Sequence, residues 1–265
     1  MKRRSFVKAS LISGAATAVL TPETFAKTTV SAKATSEYYE LRTYILKNES
    51  QQKVVEHYFE KAAIPALNKM GVKNIGVFTE VKPEGQSKLY VLIPYKNFEH
   101  FVGCCDKLQS DSVHIAHGSA YLNAPSSEPA YERIQSSFFK AFAHMPKMEV
   151  PAATPRIFEL RQYQSASENA GKKKIIMFND KGEIDIFKRL GFKPVFFGEA
   201  IIGEALPNLT YMVTFDDMAA HDQHWKSFGG DAQWKVISKV PEYADSLLVS
   251  KIIATFLKPT AFSQI

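Results

Sequence analysis

Three side chains in the stretch F-E-L-R-Q-Y, residues 158–163, are of types that anchor ligands or move protons: Glu159, Arg161 and Tyr163. They are spaced by two. On an extended strand that spacing puts all three on one face, about 6.5–7 Å apart, where a carboxylate and a guanidinium can pair. The same pattern stands 119 residues earlier in Y-E-L-R-T-Y, as Glu40, Arg42 and Tyr44. A charge buried alone is costly, so such a row needs an internal partner or a polar ligand. Two readings follow: an ion pair that fixes how the sheets close, or an anchor for the polar group of a bound molecule. If Leu41 and Leu160 face the helices, the polar row faces the space between the sheets.

Other residues carry weaker signals. Glu183 follows Gly182; a carboxylate there is either a general base with a raised pKa or a helix-start residue. His221 and His224, like His114 and His117, are three apart and share a helix face. Zinc wants three or four ligands, and neither HExxH nor a paired CxxC occurs, so no metal site is expected. The two pairs also fall at non-equivalent positions of the repeat described next. Phe196, Phe197, Tyr211, Phe215 and Trp225 read as core, with some able to line a pocket. Dinucleotide, P-loop and nucleophile-elbow motifs are missing. The only two cysteines, Cys104 and Cys105, are adjacent, which suits two thiols better than a disulfide framework.

The elements that must position these groups occur twice. At an offset of about 120, M-G-V-K (70–73) lies over L-G-F-K (190–193), K-L-Y-V-L-I-P-Y (88–95) over N-L-T-Y-M-V-T-F (208–215), and Asp111 over Asp231. Each copy reads as a strand (39–46 or 157–164), then a helical stretch (51–70 or 172–190) ending at Gly71 or Gly191. Two strands follow (74–81 and 89–94, or 194–202 and 209–215), then a second helix and a last strand (136–142 or 250–257). N-D-K-G at 179–182 reads as a turn that interrupts the second copy's helix. The order β-α-β-β-α-β is the ferredoxin-like split unit. The predicted fold is α+β: two tandem ferredoxin-like units, 37–143 and 157–265, joined by a Pro-rich linker at 144–156. Each sheet leaves one face bare, so the two sheets are expected to pack face to face and close a barrel within one chain.

The start of the chain, M-K-R-R-S-F-V-K followed by an apolar run of about twelve residues, reads as a twin-arginine type export signal over 1–26. A periplasmic or otherwise exported location follows as an expectation. Removing the signal lowers the formal net charge from +6 to +3. What remains has no basic cluster of nucleic-acid type apart from Lys172-Lys173-Lys174, read as a solvated helix start. No later stretch is long and apolar enough to span a membrane.

The run K-I-I-M-F-N-D-K-G-E-I-D-I-F-K-R-L-G-F-K-P-V-F-F-G-E-A-I-I-G-E-A-L-P-N-L-T-Y-M-V-T-F (174–215) and the tail A-T-F-L-K-P-T-A-F-S-Q-I (254–265) closely resemble the NIPSNAP family. The resemblance covers all of the second unit and, more weakly, the first. It implies a dimeric α/β-barrel fold, a group that includes cofactor-independent monooxygenases and haem-handling enzymes; the family itself has no generally established reaction. The motif passes through Met177, Asn179, Glu183, Phe197 and Tyr211. At the same offset the first unit has Phe59 for Asn179 and Ala63 for Glu183, so a small-molecule site is expected in the second unit. Three functions remain open. The first is an exported protein holding a small hydrophobic or amphipathic molecule, with Glu159, Arg161 and Tyr163 as polar anchors. The second is a cofactor-independent monooxygenase or isomerase using Glu183 or His224. The third is a structural or interaction protein with a filled barrel. No cofactor, no nucleic acid and no membrane span beyond the signal are expected, and a homo-oligomer is left open.

Overall fold

The computed structural model describes residues 35–265. The export signal expected at 1–26 lies outside them. The first unit runs β1 (Tyr38–Leu46), α1 (Glu49–Tyr58), a π-helical turn (Phe59–Ala63), α2 (Ile64–Lys69), β2 (Gly76–Glu80), β3 (Ser87–Tyr95), α3 (Phe98–Leu108), α4 (Ser112–His117), α5 (Ser119–Leu122) and β4 (Arg133–Ala141). The second runs β5 (Ile157–Gln164), α6 (Glu168–Asn179), α7 (Glu183–Arg189), β6 (Lys193–Ile202), β7 (Asn208–Phe215), α8 (Met218–Gly230), α9 (Ala232–Ser238), a 3₁₀ turn (Pro241–Tyr243), α10 (Asp245–Leu248) and β8 (Lys251–Pro259).

Local chemistry sets the helix limits. The Asn48 and Ser167 side chains cap α1 and α6 by accepting the backbone N–H groups of Gln51 and Ala170. Asp111 and Asp231, which lie over one another in the repeat, cap α4 and α9 in the same way. Gly71 (φ +84°) and Gly191 (φ +87°) end the first helical stretch of each unit in the left-handed region. Between those limits the units differ. The first threads its helix through the π turn at Phe59–Ala63, whereas the second stops at Asn179 and restarts at Glu183 after Gly182 (φ +87°).

The strand order within the units is β4-β1-β3-β2 and β8-β5-β7-β6, and β2–β8 and β4–β6 pairs join them into a closed barrel. Among the described residues no sheet edge is left open. Both faces of every sheet are therefore covered: one by the unit's helices, the other by the opposite sheet. The lumen holds Tyr39, Leu41, Phe78, Leu92, Phe158, Leu160, Phe196 and Met212 among others, and each unit packs a further core under its helices. The linker is tied down where Pro146 O accepts the Glu37 N–H (2.8 Å) and Glu37 Oε2 accepts the Met148 N–H (2.8 Å).

This packing reverses the expected orientation of the polar row. Leu41 and Leu160 point into the lumen, and Glu159, Arg161 and Tyr163 face the helices. Alternation separates the two faces of a strand but does not say which is which. The helices decide, because α8 brings Trp225 and His221 to the carboxylate while the lumen core at that level is apolar. Among the described residues no helix is long and apolar enough to cross a membrane.

Candidate functional site

The second unit's polar row starts on β5 and is widened by β7, where Tyr211 pairs directly with Arg161 in the antiparallel register and so shares its face. Arg161 Nη1 donates to Glu159 Oε1 (2.7 Å) and Nη2 to the Tyr163 hydroxyl (3.1 Å). Trp225 Nε1 donates to Glu159 Oε2 (2.9 Å), and the Arg161 guanidinium lies 4.5 Å from the Trp225 ring centre. The Tyr163 and Tyr211 hydroxyls are 3.4 Å apart. Burial, and after it the Tyr163 hydroxyl, hold Tyr211 well above the ordinary phenol range, so it stays protonated. The first unit's version is a closed ion pair: Arg42 Nε and Nη2 both reach Glu40 (2.7 and 3.0 Å), which also accepts from Ser136 Oγ (2.9 Å).

A second charged pair lies beside the row, under α6 and α7. Lys174, expected in solvent as part of a charge run, is buried at 2% exposure. Its ammonium donates to Asp245 Oδ1 (3.1 Å) and sits 5.4–5.7 Å from the ring centres of Phe178, Tyr163 and Trp234. Position 174 falls on the same helical stripe as Met177 and Phe178, which carries it inward. Burial works against the charge on Lys174. The neighbouring Glu183 and Asp245 carboxylates outweigh it and raise the ammonium above its ordinary range.

Glu183 occupies the first turn of α7 and is also buried, at 3% exposure. It does not cap that helix, and its Oε2 has no hydrogen-bond partner. Burial pushes its pKa up to about 7; Lys174 opposes the rise, Asp245 adds to it and Arg161 opposes it more weakly. At the same offset the first unit has Val54 and Ala63, and its helix layer holds other polar pairs instead, such as Tyr58 with His114 (3.0 Å) and Tyr44 with Tyr121 (2.9 Å). Buried polar atoms without partners gather in the second unit: Glu183 Oε2, Arg161 Nε, His221 Nε2 and His224 Nδ1. His221 Nε2 comes within 3.4 Å of Glu159 Oε2 but is not aligned for a hydrogen bond.

The remaining candidates divide. Met177, Phe197 and Tyr211 are fully buried in one aromatic layer with Phe178 and Phe187. Asn179 turns away from it and accepts the linker's His144 N–H (3.1 Å). His224 packs between Phe192 and Phe215; among the described residues no hydrogen bond links it to Glu159, Arg161 or Glu183. Lys174 and Asp245 were not singled out from the sequence. The helical stripe at 170, 174, 177 and 178 was the available sign for the first; nothing local marks the second. A groove of about 500 Å³ flanks α6, lined by Gly171, Ile175, Ile201 and Leu206 together with the charged Lys140, Glu168, Lys172 and Glu199. Ile175 also packs on the aromatic layer. Cys104 is buried and Cys105 half-buried, both as free thiols. Among the described residues no group of His, Cys, Asp or Glu has a metal-binding arrangement.

The NIPSNAP family model matches the chain twice, over residues 39–146 and 158–264, which together span most of its length. The chain belongs to the NIPSNAP family. No curated protein matches it by sequence. Solved structures similar to this NIPSNAP protein share its two-unit barrel. One is a Lactobacillus acidophilus protein described as a candidate monooxygenase, 10% identical, with a TM-score of 0.59 over 84% of this chain and 94% of that one. A second candidate monooxygenase, from Fusobacterium nucleatum, is 9% identical, with a TM-score of 0.56 over 85% and 93%. An anthrone oxidase-like protein is 11% identical, with a TM-score of 0.51 over 85% and 92%. At these identities the likeness is one of fold.

Proposed function

We propose that the second unit binds a small hydrophobic or amphipathic molecule whose acidic end is received by Lys174 and Glu183. One observation carries the reading: a buried carboxylate with an unpartnered oxygen lies within electrostatic reach of a buried lysine, in only one of two otherwise parallel units. A structural ion pair would be closed on itself, as Glu40 with Arg42 is. The aromatic layer supplies apolar surface for the rest of the molecule. Asp245 is more than half exposed and holds the ammonium, so α10 is the door through which an anion exchanges with that carboxylate.

The test is a calorimetric titration with decanoate and 1-naphthoate as probes. An anion binds best when Glu183 is protonated, so affinity should rise as pH falls from 8 to 6, through the Glu183 pKa of about 7. Lys174→Met should weaken binding at least tenfold, and Arg42→Met should leave it unchanged. Equal affinity in the Lys174→Met protein would sink the proposal.

The Glu183 pKa favours a second, catalytic reading. A base near pH 7 is well matched to removing a proton from an acidic C–H or O–H, with the Lys174 ammonium meeting the negative charge that develops. The similarity to barrels described as candidate monooxygenases and as anthrone oxidase-like supports trying anthrone as a substrate for oxygen uptake. Glu183→Gln should abolish any uptake, and an unchanged rate would exclude this role. Export is proposed on residues 1–26 alone. Replacing Arg3 and Arg4 together with lysine should leave the protein in the cytoplasmic fraction, and unchanged export would refute it.

A further inference from the structure

The barrel lumen changes character along its axis. Alternation sends Phe158, Leu160, Gln162 and then Gln164 of β5 inward, and Tyr39, Leu41 and then Thr43 of β1. The variable position of E-L-R-x-Y, Thr43 or Gln162, is thus the one where the lumen turns polar. At the apolar end Met148 of the linker and the C-terminal Ile265 pack against the lumen core. At the other end the lumen opens into a cup of about 280 Å³, floored by Leu41, Leu160, Phe139 and Tyr90.

The cup wall is mostly polar, and among the described residues its one cation is offset. Its lysine, Lys88, lies 3.8 Å from the buried Glu80, which also accepts the Tyr90 hydroxyl (2.7 Å). The Lys88 charge that would attract a free anion is therefore already offset. The rest of the wall is mainly amides and hydroxyls, including Gln135, Gln162, Gln164, Thr43 and Thr255, with the exposed Glu204 carboxylate at the rim and Ile253 as an apolar exception. Gln164 Nε2 donates to Gln162 Oε1 (2.8 Å); among the described residues the Gln162 Nε2 and the Gln164 Oε1 have no other side-chain partner. The rim loop is fixed in place: Ala205 sits at φ +53°, and Asn208 Nδ2 donates to both Glu204 O (3.1 Å) and Ala205 O (3.2 Å).

We propose that this cup is a binding site for a small, neutral, polyhydroxylated molecule of monosaccharide size. Amides and hydroxyls each offer a donor and an acceptor, which is what a ring of ligand hydroxyls requires. The Tyr90 and Phe139 rings at the floor give a face for its C–H groups. The volume is at the small end of ligand sites. The site is separate from the sheet–helix layer of the second unit and does not depend on the reading given for it.

Saturation-transfer NMR on the full chain, with D-glucose and myo-inositol as probes and acetate and ethylammonium as ionic controls, tests this. For a dozen heavy atoms a dissociation constant of about 1 mM is expected for at least one polyol. Gln162→Leu should weaken it at least tenfold, while Lys174→Met should not affect it. Gln164→Leu, at the half-buried rim, serves if Gln162→Leu alters the fold. No transfer from either polyol at about 50 mM, far above that constant, would overturn the proposal. So would stronger binding of an ionic control, or undiminished binding in both glutamine variants.

Discussion

Glu183→Gln should stabilise the protein at alkaline pH, and the size follows from the burial of the carboxyl. Its pKa is raised from an ordinary 4.5 to about 7. A folded-state pKa above the unfolded one favours the folded state below about pH 4.5, and that advantage is lost as pH rises through 7. Each unit is about 1.4 kcal/mol, so the folded protein is weakened by about 3 kcal/mol at pH 8 and by under about 1 kcal/mol at pH 5. A neutral glutamine of the same shape removes this dependence. Urea denaturation of both proteins at pH 5 and pH 8 measures it. The variant should gain about 2.5 kcal/mol relative to the parent on going from pH 5 to pH 8. If Glu183→Gln is destabilised equally at both values, the carboxylate is ionised and closed into a salt bridge, and the reasoning that makes it a site is refuted.

Other consequences can be measured on the same protein. Arg161→Ala leaves Glu159 buried without its cation and should cost about 3 kcal/mol in urea denaturation, whereas the paired change Glu159→Gln with Arg161→Met should cost less. Gly71→Ala, at φ +84° where a Cβ would make only an ordinary contact with Lys96 Nζ (3.7 Å), should lower stability by about 1 kcal/mol; Gly191→Ala should cost more, because its Cβ would lie 3.1 Å from His224 Nε2. Burial raises both cysteine thiols above their ordinary range, so iodoacetamide at pH 7 should label them more slowly than a free cysteine, Cys105 before Cys104.

Much of this fold is legible in the sequence because it is written twice. The strand over 157–164 has the expected bounds, the helix breaks at N-D-K-G where turn chemistry requires it, and Gly71 and Gly191 end helices as left-handed caps. The barrel follows from the need to cover two bare sheet faces. The orientation of E-L-R-x-Y was not legible. In a closed barrel both faces of a strand are buried, so an inward leucine and a helix-facing leucine look alike, and the Trp225 donor that settles the matter is 66 residues away. Lys174 was hidden for a different reason: its neighbours Lys172 and Lys173 are exposed, and composition hides which of three lysines the helix turns inward. Asp245 reaches Lys174 only through the fold, from α10, 71 residues further on.

The central claim is that the buried Lys174 and Glu183 together receive a small molecule. Native mass spectrometry of the protein purified from its own source, set beside Lys174→Met prepared identically, tests it most directly. The account predicts a retained small molecule on the parent chain that is lost from the variant. Identical spectra, with the same bound mass or none on both chains, would contradict it and leave the pair as a buried structural contact.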